Sequence, residues 1–146
     1  MKRFEFGPER VRQWREEQVI AEEARLEQLF SEKSLTEQRL VVLEQEARES
    51  AAVVNRAVAA DPVELRAIDA FRRFAIGQRQ VIAGLIADCD RRIADQRQKL
   101  MEARRRAELL NRLKDRRWKT WNADLSREIE NQAGELFLAK WTSSRR

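Results

Sequence analysis

Ten lysines and arginines lie between Arg97 and Lys119 among only three acidic residues, and the run leads into an apolar series, Trp118, Trp121, Leu125 and Ile129. Cations at that density attract anionic surfaces, and tryptophans beside them are side chains of the kind that anchors protein interfaces. A second apolar set, Leu35, Val42, Phe71, Phe74, Val81 and Leu85, recurs at helical spacing nearer the middle. Both sets can bind; neither can make or break a bond. The chain has no histidine, no tyrosine and no phosphate-binding glycine loop, and its one cysteine, Cys89, excludes an internal disulfide and a cysteine-cluster metal site. The expectation is a binding or mechanical protein and not an enzyme, with no catalytic, cofactor-binding or metal-ligating residues.

The elements that carry these sets are helices. Ala, Glu, Lys, Leu and Arg make up 81 of 146 residues, with four glycines and two prolines, a composition suited to long helices and coiled coils. Charged residues are 38% of the chain, which leaves apolar material for a narrow seam between helices rather than a thick core. The one strong interior break is Ala59-Ala60-Asp61-Pro62. Asp61 can cap a new helix, Pro62 suits its first position, and Glu64 favours the positive end of its dipole. Two helices joined by so short a connection run antiparallel. The expected fold is all-α, a single elongated coiled-coil hairpin over 1–146: helix one over about 8–58, a turn at 59–61, and a longer helix two over about 62–140.

Two heptad registers support the hairpin. In helix one the a and d places fall at Leu26, Leu29, Lys33, Thr36, Leu40, Leu43, Ala47, Ser50, Val54 and Ala57; Val11 and Trp14 lie one step out, implying a stutter near 18–22. In helix two they fall at Leu65, Ile68, Arg72, Ala75, Arg79, Ile82, Ile86, Cys89, Ile93, Gln96, Leu100, Ala103, Ala107 and Leu110. Folding the chain near residue 60 opposes numbers that add to about 120, as in Leu26 with Ile93, Leu29 with Cys89, Leu43 with Ala75 and Val54 with Leu65. Past Leu113 helix two has no helical partner by this rule. Phe4, Phe6, Val11 and Trp14 can cap Leu113 and Trp118, nothing stands opposite Trp121 onward, and Thr142-Ser143-Ser144-Arg145-Arg146 is expected to fray.

Residues 1–60 carry net charge −2 and residues 61–146 net +7. The acidic run from Glu16 to Glu32 is therefore expected to face the basic block and fix the register. No apolar run reaches the roughly 20 residues that cross a bilayer, and Met1-Lys2-Arg3-Phe4 lacks the apolar core of a signal peptide. A cytoplasmic protein is expected.

The two ends resemble a family. Phe4-Glu5-Phe6-Gly7-Pro8-Glu9-Arg10-Val11, followed by Trp14-Arg15-Glu16, is similar to the start of FliJ proteins, coiled-coil components of the flagellar type III export apparatus. Leu110-Asn111-Arg112-Leu113-Lys114-Asp115-Arg116-Arg117 and then Arg127-Glu128 resemble their second signature. The chain departs from the pattern at Gly134-Glu135, where those proteins commonly carry Asp-Glu. The resemblance implies a stalk-like hairpin that couples a hexameric export ATPase to the membrane export gate and assists export chaperones. Peripheral association with the inner membrane through the gate is implied, with no nucleic acid partner. It also implies an ATPase-facing set, Arg112, Lys114, Arg116, Arg117, Trp118, Trp121, Leu125 and Ile129, and a gate-facing set, Leu35, Val42, Phe71, Phe74, Val81 and Leu85. The alternatives are the equivalent stalk protein of a virulence injectisome, or a basic coiled-coil adaptor for nucleic acid or a membrane surface.

Overall fold

The computed structural model describes residues 3–56 and 61–145. It contains two helices packed against each other, α1 (Glu9–Arg56, 48 residues) and α2 (Pro62–Ser143, 82 residues). Both begin where local chemistry requires. Asp61 Oδ1 accepts the Val63 N–H at 3.1 Å and the Asp61 carbonyl accepts the Leu65 N–H, so Asp61 is the cap and Pro62 the first residue of α2. At the other start the Phe6 carbonyl accepts the Glu9 N–H and the Pro8 carbonyl accepts the Arg12 N–H. The expected turn at 59–61 and the a/d residue Ala57 fall mostly among residues 57–60, outside the described residues. α2 ends at Ser143 rather than near 140, because Thr142 and Ser143 stay helical instead of fraying.

Contacts group the chain into two compact units, one formed by residues up to Val19 with those from Glu102 onward, the other by Ile20–Met101. In the Ile20–Met101 unit the expected seam is the observed one. Leu43, Ala75 and Ile82 are buried together, and Leu40, Ala47, Phe71 and Ile86 pack against them. Cys89, Ile93, Gln96 and Leu100 are buried farther along, opposite half-buried Leu26, Leu29, Lys33 and Thr36. Ion pairs run in antiparallel order: Lys33 to Asp90 at 2.7 Å, then Glu44 to Arg79 at 3.7 Å. The pair numbers add to 123, close to the expected 120.

Three seam expectations are corrected. Leu65 is 43% exposed, and the whole first turn of α2 is open, so pairing with Val54 does not extend to the end of the seam. Arg72 and Arg79 stand at seam places yet are exposed, carrying their charged heads out to water beside small Ala47, Ala51 and Ala75. The stutter near 18–22 is absent. Half-burial continues at Arg12, Arg15, Val19 and Glu22 in steps of three and four, while Val11 and Trp14 are each 48% exposed. The seam keeps its spacing and changes its chemistry from apolar to polar.

That change is made good by hydrogen bonds. Gln96, buried, donates to the Glu22 carbonyl at 3.1 Å and to the Glu22 carboxylate. A polar side chain at a seam place works in one register only, since a slip would bury the amide unpaired.

The packing yields a direct test. Leu29 and Cys89 stand two heptads from the buried pair Leu43 and Ala75, on equivalent places of the seam. Oxidation of Leu29→Cys with a small oxidant is expected to join it to Cys89 within one chain, seen as a faster-migrating monomer on a non-reducing gel. Crosslinks between chains alone would assign this register to a dimer.

Candidate functional site

The unit that contains the chain ends is built as a short ladder. Phe4 lies against Trp121 with ring centroids 5.7 Å apart, and the Arg117 guanidinium sits 5.6 Å from the ring of buried Phe6. Lys114 binds Glu9 at 3.0 Å, and Arg12 donates to Asn111 at 3.3 Å. The order is antiparallel. The expectation that nothing stands opposite Trp121 is therefore corrected. Residues 3–6 are not helical, and Phe4 meets α2 about five residues beyond the place opposite it under a sum of 120.

Electrostatics tighten the same ladder. Arg12 donates to Glu9 Oε1 at 2.5 Å and to Glu16 at 2.7 Å. The hydrogen bonds from Arg12 and then Lys114 hold the Glu9 carboxyl down at about 2, well below the usual carboxylate range, and Glu9 in turn raises the Arg12 guanidinium. In the other unit the Asp90 carboxylate raises Lys33. Two arginines of the basic block pair along their own helix, Arg106 with Glu102 at 3.8 Å and Arg112 with Glu108 at 2.5 Å, while Lys114 pairs across with Glu9 of α1.

Of the expected ATPase-facing residues, Arg112, Arg116, Arg117, Trp118 and Ile129 are exposed, Trp118 and Ile129 each by 48%. Lys114, Trp121 and Leu125 are half-buried, the first two by the ladder. From Ser126 to Arg145 every described residue is exposed. Trp118, Leu125, Ile129 and Leu136 nonetheless keep to one stripe, because their steps of seven, four and seven return to nearly the same angle at 3.6 residues per turn. This stripe outlasts its cover.

The lateral set is largely brought together. One groove is lined by Leu35, Val42 and Phe74 with Gln38, Arg39, Glu46 and Gln78; Leu35 also meets Leu85 in the next groove, beside Cys89. Leu35, Val42, Phe74, Val81 and Leu85 are 47–59% exposed. Phe71 differs. It is half-buried, packed on the Leu43, Ala75 and Ile82 cluster, with its ring centroid 6.4 Å from that of Phe74. Phe71 thus belongs to the core more than to the surface.

Sequence reasoning missed the Glu9, Arg12, Lys114 and Asn111 cluster. The signal was present: the pairs Glu9 with Lys114 and Arg12 with Asn111 both add to 123, the sum found in the seam. They were hidden because none of these side chains is apolar, so no hydrophobic period marks them.

No protein-family model, no curated protein and no solved structure matches the chain. Among the described residues no helix is long and apolar enough to cross a membrane.

Two measurements check these assignments. Glu9 has a lowered folded-state pKa, so its contribution to stability is complete above the unfolded value of 4.5 and is lost as pH falls towards about 2. A carboxyl NMR titration is expected to place Glu9 near 2, moving up towards 4.5 in Lys114→Met and Arg12→Met; titration near 4.5 in the unaltered chain would remove the ladder. For the groove, Phe74→Ser is expected to leave the melting temperature nearly unchanged. Phe71→Ser should cost about 1–3 kcal/mol, the scale of a partly lost core phenylalanine. Equal effects would mean the two rings were misassigned.

Proposed function

We propose that this chain is a stalk-like component of a flagellar type III protein export apparatus, coupling an export ATPase ring to a membrane export gate and assisting export chaperones. The observation that carries the reading is the uncovered stripe of α2. Its apolar residues continue beyond the reach of the N-terminal lead, through Ile129 and Leu136, where every described residue is exposed. A stripe of that kind on a single helix calls for a partner. A helix about 10–12 Å across suits a narrow channel between subunits. Arg112, Arg116 and Arg117 beside Trp118 add cations to the same stretch, so a ring with acidic or polar contacts at its mouth would meet both charge and anchor.

The second surface is the flank that carries exposed Leu35, Val42, Phe74, Val81 and Leu85, with the groove of Leu35, Val42 and Phe74 at its centre, proposed as the gate-facing side. Its apolar side chains are exposed while the seam beneath is closed, so a partner can cover them without unfolding the hairpin. The resemblance of the two chain ends to FliJ proteins supports the same assignment. An injectisome stalk has the same physical requirements. The flagellar reading rests on the aromatic-x-aromatic opening at Phe4 and Phe6.

The test is ATP turnover by the cognate export ATPase with each variant added. Trp118→Ala combined with Trp121→Ala, or truncation after Leu113, is expected to abolish stimulation, whereas Pro62→Ala should leave it unchanged because that end of α2 lies in the other unit. Undiminished stimulation by the truncated chain would remove the stalk reading.

A further inference from the structure

The last turns of α2 carry apolar residues that the seam does not use and of which the stalk reading uses only Leu136. Leu136, Phe137, Leu138 and Trp141 are 69, 70, 59 and 49% exposed. At about 100° per residue, Phe137, Trp141 and Leu138 stand roughly 100°, 140° and 200° round the helix from Leu136. The four therefore span an arc of about 200°, twice the width of the stripe that one packed neighbour covers. Three consecutive apolar residues and a tryptophan, all exposed, are not what a solvated helix end requires.

Charge narrows the choice of what covers them. Glu135 is the last acidic residue of the chain, and Lys140, Arg145 and Arg146 follow it. The Arg145 guanidinium lies 4.2 Å from the centroid of the Trp141 ring, which presents an aromatic body and a cation side by side. Tryptophan with flanking Lys or Arg is the pairing favoured at the boundary between headgroups and acyl chains.

The backbone supplies an independent observation. A helix leaves its final carbonyls without partners, a cost that water normally removes and an apolar medium does not. Here the hydroxyl of Thr142 donates to the Ala139 carbonyl at 2.9 Å, that of Ser143 to Lys140 at 2.9 Å, and that of Ser144 to Trp141 at 3.0 Å. The Ser144 N–H also donates to the Lys140 carbonyl at 3.0 Å. Of the final carbonyls of α2, those of Lys140 and Trp141 are thus paired within the chain, at the turn where its apolar residues crowd.

We propose that the C-terminal tip of α2, Leu136 to Arg145, is an interfacial anchor for an anionic lipid bilayer. Leu136, Phe137, Leu138 and Trp141 enter the boundary region from several sides of the helix, while Lys140 and Arg145 meet lipid phosphates. The tip is too short to span a bilayer, so it holds the chain at the surface, reversibly. The inference does not rest on the stalk reading, whose ATPase-facing set ends at Ile129 and whose stripe shares only Leu136 with the tip.

The test is flotation of the full chain with two kinds of vesicle, phosphatidylcholine alone and phosphatidylcholine containing about a quarter phosphatidylglycerol. Binding is expected to the anionic vesicles, weaker in high salt and much weaker to the neutral ones. Leu136→Ser, Phe137→Ser, Leu138→Ser and Trp141→Ser together should lower the partition coefficient at least about tenfold. Lys140→Gln and Arg145→Gln should each lower it about fivefold on anionic vesicles alone. Leu125→Ser with Ile129→Ser, two residues that precede the tip, should leave it unchanged. All these sites except half-buried Leu125 are exposed, so circular dichroism should show the same helix in every tip variant. Failure of the unaltered chain to float with anionic vesicles would overturn the proposal. So would undiminished flotation of the four-serine variant, which would assign the attraction to the basic block from Arg97 to Lys119.

Discussion

A seam narrow enough that, among the described residues, no large side chain is fully buried has to hold two long helices in one register. That constraint shapes the rest of the molecule. Apolar contact alone would tolerate a slip of a heptad at small cost, because Leu, Ile and Ala recur with the same period on both helices. The polar residues at seam places remove that freedom. Buried Gln96 is satisfied opposite Glu22, and half-buried Lys33 meets Asp90 across the seam as well as Glu37 on its own helix. The Gln96 contact is worth little as a source of stability, yet it makes a wrong register carry an unpaired buried group.

With the register fixed, the uncovered parts follow. α1 begins at Glu9 and its lead reaches Trp121 through Phe4, so α2 emerges from cover soon after. The stripe beyond and the groove along Leu35, Val42 and Phe74 are then two distinct kinds of surface. The first is the seam face of α2 without a partner, and the second is a flank that the seam never uses.

Much of this was legible from residue types because a heptad with Leu, Ile and Ala at regular places has few alternatives. The hinge-side start of α2 was legible for the same reason, since Asp61-Pro62 leaves little choice of cap. What misled was apolar character taken alone. Val11 and Trp14 are large and apolar but stand outside the seam, whose places there are filled by Arg12, Arg15 and Glu22. Phe71 and Phe74 read alike in the sequence, and only packing separates the ring that rests on Leu43 and Ala75 from the one that faces out. The Thr142-Ser143-Ser144 end reads as a frayed tail by composition, and closes instead by three hydroxyl bonds that no periodicity reveals.

The central claim is that cover ends along α2 while the helix and its apolar face continue. Residue-resolved amide hydrogen exchange on the dilute free chain reads this directly, because exchange reports the local free energy of opening. Protection is expected to be highest between Ala75 and Ala107, where the seam is closed, and to fall steadily after Leu125. Protection as high at Leu136 as at Ile93 would contradict the account, since it would require something already covering the stripe.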